Sequence, residues 1–247
     1  MRLPAFIGEI GLRWRIWRKR RRAAREIRGQ GDLQCEKDQQ PYHCAMMRER
    51  AAKRFPDAMT LAQARARFFT SSGLGEDGGY EARWVRVETR PLPVFFPNTA
   101  CRVAAAKLHD LHHIAMEYDV DWTGEAEIAG WEIASGCGRH GWAWMLNLGA
   151  FTVGLVRSPR RMFQAFIRGR RVRTNLYHTG FSESSLRDVT VGDLRQRLGA
   201  SDVPPPVQIL DTALFGLWAV AGVGWHLLVG VSALACGWLA LRALGVL

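Results

Sequence analysis

The hydrophobic pattern is strongest at the C-terminal end of the chain. From Thr212 to Leu241 there is no Asp, Glu, Lys or Arg. Thirty helical residues would span about 45 Å, against about 30 Å of bilayer hydrocarbon. The run fits one long tilted transmembrane helix or a tight helical hairpin, with Gly222 and Gly224 as the natural break points. Pro204, Pro205 and Pro206 precede it and read as a stiff linker.

Upstream, the apolar positions recur mostly with helical spacing. Thr60 to Phe69 reads as a helix capped by Thr60. Tyr80 to Glu88 alternates as a strand, with Val85 and Val87 on one face, and Pro91 to Pro97 returns beside it as an irregular hairpin. Ala100 to Glu117 then reads as one helix. A second is capped by Thr123 and runs from Gly124 to Ser135, where Gly136-Cys137-Gly138 ends it. Gly141 to Val156 is a third, strongly apolar. Pro159 starts a fourth, and a last short helix opens at Thr190 and closes at Gly199. The predicted class is mainly α: a helical domain with a small β-hairpin, followed by a C-terminal transmembrane segment.

Charge divides the chain further. The net charge is +11, and residues 1–28 carry ten Lys or Arg against Glu9 and Glu26. Trp14 and Trp17 lie among these cations, a combination suited to an anionic membrane surface. A solvated basic tail, a nucleic-acid-binding arm and a transit peptide are the other readings. The expected organisation is a basic membrane-surface segment (1–28), a polar linker and helix (29–59), a helical domain (60–200), a Pro-rich linker (201–207) and the membrane segment (208–247). Basic residues lie on the N-terminal side of that segment, which places the domain on the cytoplasmic face of a membrane. The five cysteines include no CxxC pair, so neither a disulfide framework nor a zinc finger is expected. Gly73 to Gly79 is glycine-rich but carries Glu76 and Asp77 and lacks the Lys-Ser/Thr ending of a phosphate loop.

The candidate chemistry lies in His109-Asp110-Leu111-His112-His113. Residues i and i+4 stack on one helix face, so His109 and His113 can converge on one point, with Asp110 at the edge of the arc. Eleven residues separate His113 from Glu125, and a turn from Asp119 to Trp122 folds the second helix back beside the first. Two nitrogens and one or two carboxylates around one cation, with a position left open, suit zinc, and also iron, cobalt or manganese. His112 points elsewhere, to a supporting or surface position. The ordinary alternative is a set of solvated polar residues.

HDxxH, eleven residues, then Glu resembles the signature of the Coq-type ubiquinone-biosynthesis proteins, specifically the fourth Coq family. Gly124-Glu125, Gly169-Arg170-Arg171, Asn175-Leu176-Tyr177 and Leu194 to Gly199 are similar to further blocks of that family. The similarity covers about residues 60–200. It implies a helical fold at a membrane surface, with a metal held by His109, Asp110, His113 and Glu125. It also implies removal of the ring carboxyl of a polyprenylated 4-hydroxybenzoate-type substrate, a hydroxyl taking its place, with His109, Asp110 and Glu125 in the catalytic centre. Other quinone-biosynthesis proteins are the implied partners. The C-terminal membrane segment and the basic N-terminus are additions to that pattern.

Trp144, Leu148 and Phe151 on the apolar third helix, with Tyr177, are candidates to line a groove for an isoprenoid tail; ordinary core is the alternative for most of them. Two other functions fit the same residues. One is a metal-containing, lipid-binding scaffold for quinone enzymes. The other is a membrane di-iron lipid hydroxylase, whose several histidine boxes need more histidines than the seven present. Cys137 and His140 form only a weak zinc pair. Asp211 lies close enough to the membrane boundary to be an ordinary interfacial residue.

Overall fold

Two capping boxes start the domain side by side. In a computed structural model that describes residues 55–87, 93–201 and 205–245, the Thr60 side chain accepts from the Gln63 N–H at the start of α1 (Leu61–Ser72). Thr190 does the same with Asp193 at the start of α6 (Val191–Leu198). The segments before these helices pair across one another, with Leu61 N–H donating to Val189 O (2.9 Å) and Val191 N–H to Met59 O (2.8 Å). Between them in the chain come β1 (Trp84–Val87) and β2 (Val94–Pro97), an antiparallel hairpin pairing Val85 with Phe96 and Val87 with Val94. Then follow α2 (Ala100–Met116), α3 (Trp122–Ser135), α4 (Gly141–Arg157) and α5 (Pro159–Gly169). Short 3-10 turns at Leu176–His178 and Glu183–Arg187 lead into α6, and α7 (Ile209–Ala243) ends the described chain. The protein is mostly helical with a small hairpin and a long apolar C-terminal helix, as the periodicity predicts.

α3 is the central element, and its residues Ala126 to Ile133 are all buried. On one side it meets α1, α2 and α6 in a core built around Leu61, Phe68, Leu111, Ile114, Trp131 and Leu194. On the other, Ala126, Ala129 and Ile133 pack with Phe151 of α4 and Met162 and Phe166 of α5. Small residues allow the close approach: a Cβ on Gly154 would lie 2.6 Å from the Ala126 Cβ. An apolar helix interior burying both faces explains why α3 shows little amphipathic period in sequence.

Two details differ from the sequence expectation, and a third decides between its alternatives. The cap of α3 is Asp121, whose Oδ1 accepts from the Thr123 and Gly124 N–H groups, and not Thr123. Glu117 leaves the α2 helix in the left-handed region at φ 58°. α7 is one continuous helix, so Gly222 and Gly224 do not break it into a hairpin. Gly222 instead permits helix contact, since a Cβ there would sit 2.6 Å from Thr152 Oγ1 of α4. α7 is long and apolar enough to cross a membrane, with a mean hydropathy of 1.8 over an 18-residue stretch. The basic segment 1–28, most of the 29–59 segment, residues 88–92 of the hairpin region and residues 202–204 of the Pro-rich linker lie outside the described residues.

Candidate metal centre

α2 presents His109 and His113 one helical turn apart, and the turn after it brings Glu125 of α3 to the same point. The chain leaves α2 at Glu117, and Arg195 of α6 grips this corner, donating to Glu117 Oε1 (2.5 Å) and Ala115 O (3.1 Å). Asp121 then restarts the helix. Gly124 passes so close to the Asp119 backbone that any Cβ would collide with its carbonyl. The Gly-Glu pair is therefore a steric requirement: Gly124 lets the chain fold tightly enough for Glu125 to reach the histidines. The ligand atoms of His109, His113 and Glu125 lie within 4.8 Å of one another.

The hydrogen bonds fix the tautomers. His113 Nδ1 lies 3.1 Å from the Tyr118 carbonyl oxygen, which can only accept, so Nδ1 carries the hydrogen. His109 Nδ1 lies 3.0 Å from Glu132 Oε1, and the same argument applies. The two Nε2 atoms face each other at 3.0 Å. The Glu125 oxygens stand 3.5 and 3.6 Å from them. Two facing lone pairs beside a carboxylate require a proton or a metal cation between them. Burial alone would lower the His109 pKa, but the Glu132 and Glu125 carboxylates outweigh it and raise it well above the ordinary value. Burial would raise that of Glu125, but the charge and hydrogen bonds of His113 and His109 hold it far below the carboxylate range. Imidazoles held by their second nitrogens to a carboxylate and a carbonyl are the usual arrangement of metal-ligating histidines. His109 and Glu125 are partly exposed, so the cluster opens to the outside on that side.

Glu132 is the residue that sequence reading missed. It is fully buried, and its two oxygens accept four hydrogen bonds. Oε1 takes His109 Nδ1 (3.0 Å) and His112 Nδ1 (2.7 Å); Oε2 takes Asn147 Nδ2 (2.5 Å) and the Tyr177 hydroxyl (3.0 Å). Burial would raise its pKa; the charge of His109 and the hydrogen bonds from both histidines keep it well below normal. The available signal was its spacing: Glu132 lies two helical turns after Glu125, on the same face of a mostly apolar helix. His112 is a buried supporting residue and not a surface one. Its Nε2 accepts from the Leu176 N–H at 3.0 Å, and burial lowers its pKa, so it is neutral with the hydrogen on Nδ1. The Asn175-Leu176-Tyr177 segment thus docks on the motif, with Asn175 Nδ2 donating to Gly136 O at 2.6 Å.

Asp110 stands beside the three converging groups and not among them. Its Oδ2 accepts from the Tyr80 hydroxyl, which burial and the Asp110 charge keep protonated. Trp144, Leu148 and Phe151, candidates for a lipid groove, lie against the C-terminal helix. They pack with Leu214, Phe215 and Trp218 of α7, and the Trp144 and Trp218 rings stack at 5.3 Å. Tyr177 does line a cavity, of about 930 Å³, together with Tyr80, Lys107, Leu108, Arg139, His140 and Phe181. The converging residues are not in its wall. One chain of hydrogen bonds joins them to it, Tyr177 through Glu132 to His109, while Tyr80 reaches the neighbouring Asp110. Cys137 is buried against Asn147 Nδ2 at 3.5 Å and takes no part in the cluster of His109, His113 and Glu125. Comparison with protein-family models, with curated proteins and with solved structures yields no match to this chain.

Proposed function

We propose that this chain is a metal-dependent, membrane-attached enzyme of ubiquinone or related prenylquinone biosynthesis. It would act in the decarboxylation of a polyprenylated 4-hydroxybenzoate-type ring, from the cytoplasmic face of the membrane. The observation that carries the metal is the convergence of His109 Nε2, His113 Nε2 and a Glu125 oxygen within 4.8 Å of one another, each imidazole committed through Nδ1. The similarity of His109-Asp110-Leu111-His112-His113 and Glu125 to the Coq pattern carries the choice of substrate.

His109, His113 and Glu125 would hold the cation, with Asp110, fixed by Tyr80, at its side. Zinc is the first choice for this nitrogen and oxygen set, with iron, cobalt or manganese next. A bound divalent cation supplies Lewis-acid stabilisation of a carboxylate or phenolate oxygen. With zinc, which carries no redox chemistry, the replacing oxygen would be delivered by a separate oxidant. Glu132 holds the proton-bearing nitrogens of His109 and His112 and so keeps His109 Nε2 available. The cavity beside the cluster offers aromatic walls at Tyr80, Tyr177 and Phe181, the Arg139 guanidinium, and Lys107 paired with Glu183 at 3.5 Å. The aromatic walls suit a planar ring, and Arg139 a carboxylate on it. Tyr80 and Tyr177 would transmit its presence to Asp110 and Glu132.

The test is His109→Ala and Glu125→Ala, each scored for bound metal by elemental analysis and for quinone intermediates by mass spectrometry of lipid extracts. Loss of metal and accumulation of a carboxylated prenyl-ring intermediate are expected. If both variants keep the metal, or the quinone pool is unchanged, the catalytic reading fails. Metal loss with normal quinone would favour the lipid-binding scaffold.

A further inference from the structure

The uncharged run of α7 is longer than a bilayer, and its burial divides it in two. Asp211 and Gly222 are buried, and Leu214, Phe215, Trp218 and Ala219 between them pack on the α3–α4–α5 core. These positions follow one helical face for three turns. Asp211 fixes the start of that face, with Arg170 Nε at 2.7 Å and Arg171 Nη2 at 2.6 Å. From Val223 onward every described residue of the helix is exposed except the half-buried Trp225. The contact with the domain therefore ends at Gly222, where α4 contributes Thr152 and Leu148.

We infer that the hydrocarbon of a lipid bilayer takes only the second part of α7, Val223 to Leu241, and that the first part is a stalk belonging to the domain. The inference rests on the membrane reading of α7 and is independent of the metal chemistry. The second part spans about 28 Å, against about 30 Å of hydrocarbon. Fitting the whole uncharged run would need a tilt of about 48°, beyond the usual 0–40° range. Aromatic residues mark both edges. Trp218, stacked on Trp144, stands on the domain side, and Trp238, with the Arg242 guanidinium 4.6 Å from its ring centroid, stands near the far side. Trp and Arg at such places are interfacial anchors. His226 agrees with this placement. Centred on the whole run, the bilayer would put it at mid-depth, where a polar ring is costly. Centred on Val223 to Leu241, it lies within one turn of the interface, its Nδ1 3.3 Å from Gly222 O. This register seats α4, which is uncharged from Gly141 to Val156, at the membrane surface beside the stalk.

The two registers give opposite depth orders for residues 220 and 239, both exposed in α7. Nitroxide labels would be placed singly at Val220→Cys, Val231→Cys and Leu239→Cys of the full chain. The background carries serine at Cys35, Cys44, Cys101 and Cys236. The protein is reconstituted in phosphatidylcholine–phosphatidylglycerol vesicles, and depth is read from relative oxygen and nickel accessibility. The expected order is label 231 deepest, 239 within the acyl region and 220 at the headgroups. Label 220 deeper than 239 would overturn the register while leaving α7 as the anchor. No label in the acyl region would overturn the membrane reading itself.

Discussion

A buried carboxylate is stable only when its oxygens are satisfied, and Glu132 shows how much depends on one residue. Its four hydrogen bonds align His109, seat His112 and bind Tyr177 and Asn147. Glu132→Ala leaves those donors without an acceptor in the core. The expected cost is about 3–5 kcal/mol at pH 7, measured by denaturation in mild detergent. Metal affinity should fall about 10–100-fold, as for other residues that orient metal ligands. The pH dependence has a definite sign. The folded-state pKa of Glu132 lies well below the ordinary 4.5, so its contribution is complete above about pH 4.5 and is lost as pH falls further. The stability gap between wild type and Glu132→Ala should therefore narrow as pH falls below about 4.5. A gap that widens below that pH would contradict the hydrogen-bonding scheme.

At the scale of elements, the site depends on the turn between α2 and α3. Glu117 redirects the chain, Arg195 ties the corner to α6, Asp121 starts the next helix and Gly124 lets it approach. A methyl group at Gly124 must push the Asp119 carbonyl away, and the displacement is delivered to the neighbouring Glu125. Gly124→Ala is expected to cost about 1–3 kcal/mol by overpacking and to weaken metal binding in titration calorimetry. Gly149 of α4 is the control. A Cβ there meets nothing within 4 Å, so Gly149→Ala should be neutral or stabilise the helix by about 0.5–1 kcal/mol. Equal losses in the two variants would show that Gly124 has no special place in the site.

For the whole molecule, the division of α7 changes what truncation does. Cutting before Ile209 removes Leu214, Phe215 and Trp218 from the core and leaves Arg170 and Arg171 without Asp211. Such a chain exposes the apolar surface of Phe151, Phe166 and Trp144, a liability for aggregation. A chain ended after Val223 keeps these contacts and loses only the exposed part. Expressed without detergent, the longer product is expected to be soluble and monodisperse by size-exclusion chromatography, and the shorter one to aggregate. The reverse result would mean that the first turns of α7 are not part of the folded domain.

The sequence by itself determined the elements and the half of the site that lies within one helix. Apolar periodicity placed α1 to α6 within a few residues, because a packed helix repeats its buried positions locally. The i, i+4 spacing of His109 and His113 brought two imidazoles together for the same reason. The Coq resemblance supplied a chemistry for them that no structural feature independently names. Only the tertiary structure decided which polar residues would be buried with them. Glu132 reads as one acid among others until Asn147 and Tyr177 arrive from distant segments. Likewise, Asp211 at the edge of an apolar run looks interfacial until Arg170 and Arg171 are seen to enclose it. Trp144, Leu148 and Phe151 are equally apolar whether they line a groove or receive a helix, and α7 selects the second. Pattern records which residues avoid water, while the partner that covers them is set by contacts between elements far apart in the chain.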